Sequence, residues 1–296
     1  MTKAITQFYC SIILDGQLTY RHVSLDQNLQ SELGLIFEKQ INEFMNYDEE
    51  FLYDGRYKVD ANEVLYIDDF TLPQEISDVM GGQIKIDDLT ANDLELGKVK
   101  SLFGIKLISS KESVIGFQGL TGNNVISRDR LNILLSGRTF QKINTPGITL
   151  NDFVSAVYKK GRFYFKSFVV AKRFIDLDSY LKEASDEEIK DFLKTSPINL
   201  EDPTHFEEIK DEWIRKKIYL IHTSNIFDAV PIKDMKKRAK QINLVLKTNL
   251  VGGKEKIEFP SDKKSLKDLL RFLDDDILDS LLTGKIYVAN SKRVFK

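Results

Sequence analysis

Four aspartates lie close together near the end of the chain, and such a cluster could hold a catalytic metal. They are Asp274, Asp275, Asp276 and Asp279. Clustered carboxylate oxygens suit Mg²⁺, and a bound divalent ion would support phosphodiester hydrolysis. Basic side chains that fold back would stabilise the same carboxylates without a metal. The basic residues near enough in sequence are Lys263, Lys264, Arg271, Lys292 and Arg293. We favour this structural ion-pair cluster, and a metal-dependent nuclease is the alternative.

A second stretch, from Phe153 to Phe174, mixes basic and aromatic side chains. It predicts a β-hairpin with strands at Phe153–Tyr158 and Arg162–Phe168 and its tip at residues 159–161. Its basic residues are Lys159, Lys160, Arg162, Lys166, Lys172 and Arg173. Such a surface can neutralise phosphates while aromatic rings stack on bases. Alternate residues of a strand face the core, however, so we expect Phe163, Phe165 and Phe168 to be core residues.

Two predicted helices carry further basic clusters. These are Arg215, Lys216 and Lys217 on one helix, and Lys236, Lys237 and Arg238 on the other. A run of charge on a helix is commonly a solvated face, and it supports nucleic-acid binding only if the clusters share one surface. These six residues and the six of the hairpin are the candidate nucleic-acid-binding residues.

No other motif indicates catalysis. The histidines lie on separate predicted elements without metal-ligand spacing: His22, His205 and His222. Cys10 lies inside an apolar run, which favours a buried, unreactive thiol. Three glycines lie close together without a phosphate-binding motif around them, and we interpret them as turn glycines: Gly116, Gly119 and Gly122. We therefore expect a non-catalytic function and no cofactor.

The elements before residue 97 predict a small α+β unit. Asp15-Gly16 between two apolar runs predicts a hairpin, and Ser24 is the predicted N-cap of the long helix that follows. The acidic segment 46–54 predicts a loop. Glu63–Ile67 predicts a strand, and Pro73–Met80 predicts a short helix.

The later elements mix strands and helices. Ser185 and Glu188 form a predicted capping box, and the apolar spacing over Phe206–Ile221 predicts one long helix. The closing segment, Ile257–Arg293, predicts a strand, a helix capped by Ser261 or Asp262, an acidic turn, a short helix and a final strand. The helical spacing of four leucines predicts the buried face of the first helix: Leu266, Leu269, Leu270 and Leu273.

Charge is divided unevenly along the chain. Residues 1–97 contain 6 Lys and Arg against 19 Asp and Glu, whereas residues 98–296 contain 37 against 26. The net charges are −13 and +11, and they predict two domains with a boundary near Gly97. Mutual neutralisation of the halves is one interpretation, and an acidic protein-facing module beside a basic nucleic-acid-facing one is the other.

The composition favours a soluble protein of a reducing compartment. The single cysteine allows no internal disulfide, and no run of eighteen apolar residues or secretory leader is present. The predicted fold class is α+β, with an acidic N-terminal domain at 1–97 and a larger basic domain at 98–296. We expect a cytoplasmic location.

Three ordered segments resemble one known family. They are YFKSFVVAKRFIDLDSYLKEASDEEIKDFL (Tyr164–Leu193), WIRKKIYLI (Trp213–Ile221) and FPSDKKSLKDLLRFLDDDILDSLLTGKIYVANSKR (Phe259–Arg293). Together they look like the KwaB-like proteins of the bacterial Kiwa anti-phage system. Residues 1–97 carry no motif that matches and are assigned by position alone.

The resemblance implies a defence function. It implies a cytosolic protein that binds DNA, interferes with phage replication, and is brought to the inner face of the membrane by a KwaA-like membrane partner. It also implies oligomers with a dimer as the basic unit, and it carries no catalytic residues. The alternatives are a metal-dependent nuclease effector and a protein-binding scaffold without nucleic-acid contact.

Overall fold

The computed structural model describes residues 5–81, 85–95, 98–108, 112–127, 131–289 and 291–293. The chain forms two compact units. Unit 1 comprises Met1–Tyr53 and Lys58–Ser179, and unit 2 comprises Asp54–Tyr57 and Tyr180–Lys296. The described residues form ten α-helices and several sheets, which confirms the predicted α+β class.

Unit 1 contains twelve strands and four helices among its described residues. The strands are β1 (Gln7–Leu14), β2 (Gln17–His22), β3 (Glu49–Leu52), β4 (Glu63–Ile67), β5 (Val99–Leu107), β6 (Ser113–Gly119), β7 (Val125–Ile126), β8 (Asn132–Ser136), β9 (Thr139–Ile143), β10 (Gly147–Ile148), β11 (Ala156–Lys159) and β12 (Arg162–Phe165). The helices are α1 (Gln27–Phe44), α2 (Gln74–Met80), α3 (Ala91–Glu95) and α4 (Phe168–Ala171). A 3₁₀ turn follows at Asp178–Tyr180.

An eight-stranded sheet forms the centre of unit 1, in the order β2-β1-β5-β6-β11-β12-β4-β3. Every pairing is antiparallel except that of β3 with β4. Strands from both sides of residue 97 pair here, because β1 lies beside β5. The compositional boundary near Gly97, a residue outside the described ones, therefore does not coincide with the division into units.

The acidic segment 46–54 was predicted as a loop, and this prediction is wrong. Residues Glu49–Leu52 form the edge strand β3, whose backbone pairs with β4. An edge strand needs only one hydrogen-bonding neighbour and can face solvent. Its sequence can therefore be acidic, without the alternation of apolar residues that would predict a strand. The predicted strand at Glu63–Ile67 is confirmed, and the predicted helix at Pro73–Met80 is confirmed as α2.

The first hairpin is confirmed, with positive φ angles of 50° at Asp15 and 81° at Gly16. The N-cap of α1, however, is Asp26 and not Ser24. Asp26 accepts hydrogen bonds from the backbone amides of Asn28 (3.0 Å) and Leu29 (2.9 Å). The Ser24 hydroxyl instead donates to Asp88.

Helix α1 packs on one face of the sheet, against a core that includes Phe8, Cys10 and Phe37. Gly116 lies inside β6, where an added Cβ would lie 2.7 Å from the Ile41 side chain. The interpretation of Gly116 and Gly119 as turn glycines is therefore wrong, since both belong to β6. Gly116 allows the helix to approach the strand closely.

Aromatic rings fill the opposite face of the sheet. Phe163 and Phe165 are fully buried, as expected, whereas Phe168 is half-buried and stacks on Tyr53 at 4.6 Å. The centroids of Phe117 and Phe163 lie 5.9 Å apart, in the edge-to-face arrangement that aromatic quadrupoles favour. These rings therefore belong to the core and are not base-stacking platforms.

Unit 2 contains five strands and six helices among its described residues. The strands are β13 (Ile198–Leu200), β14 (Thr248–Val251), β15 (Lys254–Phe259), β16 (Ile277–Asp279) and β17 (Ile286–Val288). The helices are α5 (Asp186–Thr195), α6 (Pro203–Ile209), α7 (Glu212–Ser224), α8 (Ile226–Ala229), α9 (Ile232–Gln241) and α10 (Lys263–Leu273). The sheet order is β13-β15-β14, with β13 parallel to β15.

The capping box of α5 is confirmed, but the single long helix predicted over Phe206–Ile221 is wrong. It is divided into α6 and α7 by Asp211, whose carboxylate accepts from the Ile214 amide at 2.9 Å. A carboxylate can cap a new helix, and this local bond competes with continuation of α6.

The closing segment is partly as predicted. Asp262 caps α10, and the four predicted leucines are buried: Leu266, Leu269, Leu270 and Leu273. The predicted second helix is wrong, because β16 and β17 form an antiparallel hairpin there. Its leucines Leu281 and Leu282 occupy the turn.

Candidate functional site

The predicted basic hairpin exists, and its tip is defined by two left-handed residues. Strands β11 and β12 pair antiparallel, with φ angles of 52° at Lys160 and 76° at Gly161. The second strand ends at Phe165, earlier than predicted, because the Ser167 hydroxyl caps α4. Lys160 is exposed at the tip, and Lys159 is half-buried.

Two cations of this hairpin, Arg162 and Lys160, have carboxylate partners. Arg162 Nε lies 2.9 Å from Asp68 Oδ1, and Arg162 Nη1 lies 3.0 Å from Glu50 Oε1. The hydrogen bond that Arg162 donates to Asp68, with further contributions, raises the pKa of the Arg162 guanidinium. Lys160 Nζ lies 3.7 Å from Glu112. Glu50 and Asp68 come from the acidic first third of the chain, so its charge neutralises this part of the hairpin.

The remaining cations of this segment also lie near acceptors. Lys166 Nζ donates to the carbonyl oxygen of Ala61. Lys172 and Arg173 are exposed after α4 and line a cleft of about 580 Å³. The carboxylates lining the same cleft are Glu75, Asp176 and Asp178. Three acids beside two bases make this cleft a poor binding site for a polyanion.

Helix α7 carries the second predicted cluster, and its members differ in environment. Arg215 pairs with Asp186 at 2.5 Å and donates to the Ala184 carbonyl oxygen at 3.1 Å. Hydrogen bonds from Arg215 and then Lys210 lower the pKa of the Asp186 carboxyl to about 2. Lys216 is half-buried.

Lys217 lies in a buried ion-pair cluster. Its Nζ lies 2.6 Å from Asp274 Oδ2 and also pairs with Asp276. Lys292 Nζ lies 2.7 Å from Asp276, and Arg56 lies 3.3 Å from Asp274. The Asp274 and Asp276 side chains are 1% and 7% exposed, so their pairing is required for burial.

This cluster accounts for two of the four aspartates of the motif. Asp274 and Asp276 face Lys217, Lys292 and Arg56, whereas Asp275 and Asp279 are exposed. Within the described ranges no group of three or more acidic, histidine or cysteine side chains could hold a metal. Lys292 was among the predicted partners. Lys217 and Arg56 could not be identified as partners from the sequence, because both are distant from the aspartates along the chain.

Helix α9 presents the third cluster differently. Met235 and Ala239 are buried against the core, and this orients Lys233, Lys237 and Lys240 to solvent. These three lysines follow the spacing i, i+4, i+7 and therefore share one side of the helix. None of the three forms an ion pair with any residue that the structure describes.

Two further cations flank this basic face of α9, which we define as Lys233, Lys237 and Lys240. Lys236 pairs with Glu255 on β15, and Arg238 is exposed beside a shallow pocket that Asp275 also lines. Our candidate set contained the consecutive run 236–238 but neither Lys233 nor Lys240. The helical spacing was the signal that could have identified both.

Two comparisons give no match, and one does. No curated protein and no solved structure is significantly similar to the chain. A family model described as "Kiwa protein KwaB-like" matches residues 97–283, more than half of the chain. This range includes the β11–β12 hairpin, α7 and α9. No helix in the described part of the chain is long and apolar enough to span a bilayer.

Proposed function

Because the chain belongs to the KwaB-like family of Kiwa proteins, we propose that it acts in anti-phage defence by binding DNA without cleaving it. The observation that carries the DNA-binding proposal is the basic face of α9. Its three ammonium groups are exposed and have no carboxylate partner among the described residues.

The dimensions of this face suit a phosphate backbone. Seven residues of helix rise about 10 Å, so the face extends past roughly three phosphates of one strand. Lysine ammonium groups act as point charges for phosphate, and the face carries no aromatic or amide side chain that would read a base edge. We therefore propose binding that is independent of sequence and strongly dependent on salt.

The other candidates contribute in proportion to their free charge. Lys236 and Arg238 flank the face and extend it. Lys159, Lys160, Arg162, Lys166, Lys172 and Arg173 would form a weaker second contact, because carboxylates or a carbonyl lie beside most of them. On α7, Arg215 and Lys216 stay candidates, and the ion pair of Arg215 with Asp186 weakens its contribution. The Lys217 ammonium is already paired with Asp274 and Asp276.

The ion-pair cluster supports the non-catalytic part of the proposal. A magnesium ion at Asp274 and Asp276 would have to displace Lys217 and Lys292, leaving two ammonium groups buried beside a divalent cation. That arrangement is electrostatically unfavourable in a poorly solvated site.

Family membership also supports partners. We propose a homodimer as the basic unit, a cytoplasmic location, and recruitment to the inner face of the membrane by a KwaA-like membrane protein.

The test is a salt titration of DNA affinity by fluorescence anisotropy, with a labelled duplex. We expect the triple variant Lys233→Ala, Lys237→Ala, Lys240→Ala to bind at least about tenfold more weakly, with a salt slope lower by about 3, one per lysine. Alanine is a strong helix former, so α9 should persist. The matched control, Lys159→Ala with Lys160→Ala, should lower the slope by less than about 1.

Other outcomes reject parts of the proposal. Equal affinity of the triple variant and the unsubstituted protein would reject the face of α9. Cleavage that requires Mg²⁺ and is lost in Asp275→Asn would establish the nuclease instead. Absence of any binding at low salt would favour a protein-binding scaffold.

A further inference from the structure

The β8–β9 hairpin of unit 1 exposes an unusual amount of apolar surface. Its strands form a two-stranded sheet of their own, joined by a turn at Gly137 and Arg138. Leu131 is 77% exposed and Phe140 is 66% exposed. An isolated two-stranded hairpin is marginally stable in water, so additional strands would stabilise this one.

The register places most of the apolar residues on one face. Leu135 lies opposite Phe140, and Ile133 lies opposite Lys142. Since side chains alternate along a strand, Leu131, Ile133, Leu135 and Phe140 share this face. The other face carries Leu134 opposite Gln141.

The outer edge of β8 pairs with no other strand of the described part of the chain. We propose that this edge pairs antiparallel with β8 of a second copy of the chain, about a two-fold axis at Leu134. This names a surface for the homodimer of the proposed function, and it does not depend on DNA binding.

The sequence of β8 is suited to pairing with itself. Its residues, NILLS, are polar at both ends and apolar between. About an axis at Leu134, Asn132 faces Ser136 of the copy, Ile133 faces Leu135, and Leu134 faces its own equivalent. No charged residue lies in β8, so the pairing opposes no like charges.

A second copy therefore fits this edge. It would extend the hairpin to four strands in the order β9-β8-β8-β9 and join the two apolar faces into one continuous surface. The pairing satisfies the hydrogen bonds of the β8 edge, and four strands with an apolar face meet the usual requirement for an independently stable sheet.

The test is a disulfide at the axis, formed in the full chain by Leu134→Cys. Antiparallel partners have Cα atoms about 4.5–5.5 Å apart, within the range that a disulfide spans. The natural Cys10 does not compete, because it is fully buried and burial, with a contribution from Asp93, raises the pKa of its thiol. We expect mild oxidation to convert most of the variant into a covalent dimer.

The matched control is Gln141→Cys, an exposed position on β9 opposite Leu134. In the proposed sheet the two Gln141 positions are three strand spacings apart, about 14 Å, and cannot form a disulfide. Equal cross-linking of both variants would show random collision and overturn the inference.

Sedimentation supplies a second readout. We expect Leu134→Asp to weaken dimerisation at least about tenfold, because like charges then face each other across the axis. A mixture of Leu134→Asp with Leu134→Lys should restore the dimer. If Leu134→Asp leaves the dimer unchanged, this surface is overturned and the homodimer is retained. If the unsubstituted protein is monomeric at about 100 μM, both the surface and the homodimer are overturned. The anisotropy assay of the triple variant tests DNA binding separately.

Discussion

The β11–β12 hairpin and helix α9 are both rich in basic residues, yet they differ in the charge that they leave free. Arg162 on the hairpin is held between Glu50 and Asp68, from strands or turns distant in sequence. Lys233, Lys237 and Lys240 on α9 have no such partners among the described residues. A sheet brings distant carboxylates beside a strand, whereas the neighbours of an exposed helical residue are mostly its own i±3 and i±4 residues. Basic residues on an exposed helix are therefore better indicators of free positive charge.

Lys217 qualifies this comparison, because it is helical and still paired. It lies on α7 close to the buried face, where Ile214, Ile218 and Ile221 pack into the core. Position on the helix, and not helix membership alone, determines whether a lysine is available to a ligand.

The largest effect is expected from removing the charge of Lys217. Lys217→Met leaves Asp274 and Asp276 with fewer partners, and breaking a buried pair costs about 3 kcal/mol of the free energy of unfolding. The matched variant Lys237→Met on α9 should change it by less than about 0.5 kcal/mol. Urea denaturation, followed by fluorescence of the single tryptophan, Trp213, measures both. Equal denaturation midpoints for the two variants would contradict the difference between α7 and α9.

An intermediate effect is expected from removing the carboxylates that neutralise Arg162 on the hairpin. Glu50→Gln with Asp68→Asn removes both carboxylate partners of Arg162 and leaves its positive charge unneutralised. We expect DNA affinity to rise several-fold and the salt slope to increase by about 1. The lost exposed ion pairs should lower stability by less than about 1 kcal/mol. Unchanged affinity in the anisotropy assay would show that the ion pairs of Arg162 do not limit DNA binding by the hairpin.

The smallest effect concerns pH. The pKa of Asp186 is lowered from 3.8 to about 2 by its hydrogen bonds from Arg215 and Lys210. The ionised carboxylate therefore stabilises the fold above pH 3.8, and this contribution is lost as the pH falls through 2. We expect the denaturation midpoint of Asp186→Asn to lie below that of the unsubstituted protein at pH 6 and to converge with it near pH 2. A difference in midpoint that stays constant from pH 6 to pH 2 would show that ionisation of Asp186 does not contribute to the pH dependence of stability.

Local signals predicted local structure well. The Asp15-Gly16 turn, the capping box at Ser185 and the leucine stripe of α10 each depend on residues within a few positions of one another, and each is confirmed. The strand β3 was missed because pairing with β4 specifies it, and its own acidic sequence does not.

Long-range electrostatics could not be predicted in the same way. Arg56 contacts Asp274 across more than two hundred residues, and Asp68 contacts Arg162 across 94. No periodicity connects such positions, because only the completed fold brings them together. Asp274 and Asp276 form ion pairs with Lys217 and Lys292, and Lys292 was among the basic residues that the sequence suggested for this cluster. Asp275 and Asp279 are exposed instead.

Lysine footprinting tests the contrast between the two basic regions most directly. The protein is acetylated with and without duplex DNA at low salt, and modification of each lysine is measured by mass spectrometry. We expect DNA to protect Lys233, Lys237 and Lys240, with Lys159 and Lys160 modified to nearly the same extent in both samples. Protection of the hairpin lysines with full modification of those on α9 would contradict this expectation.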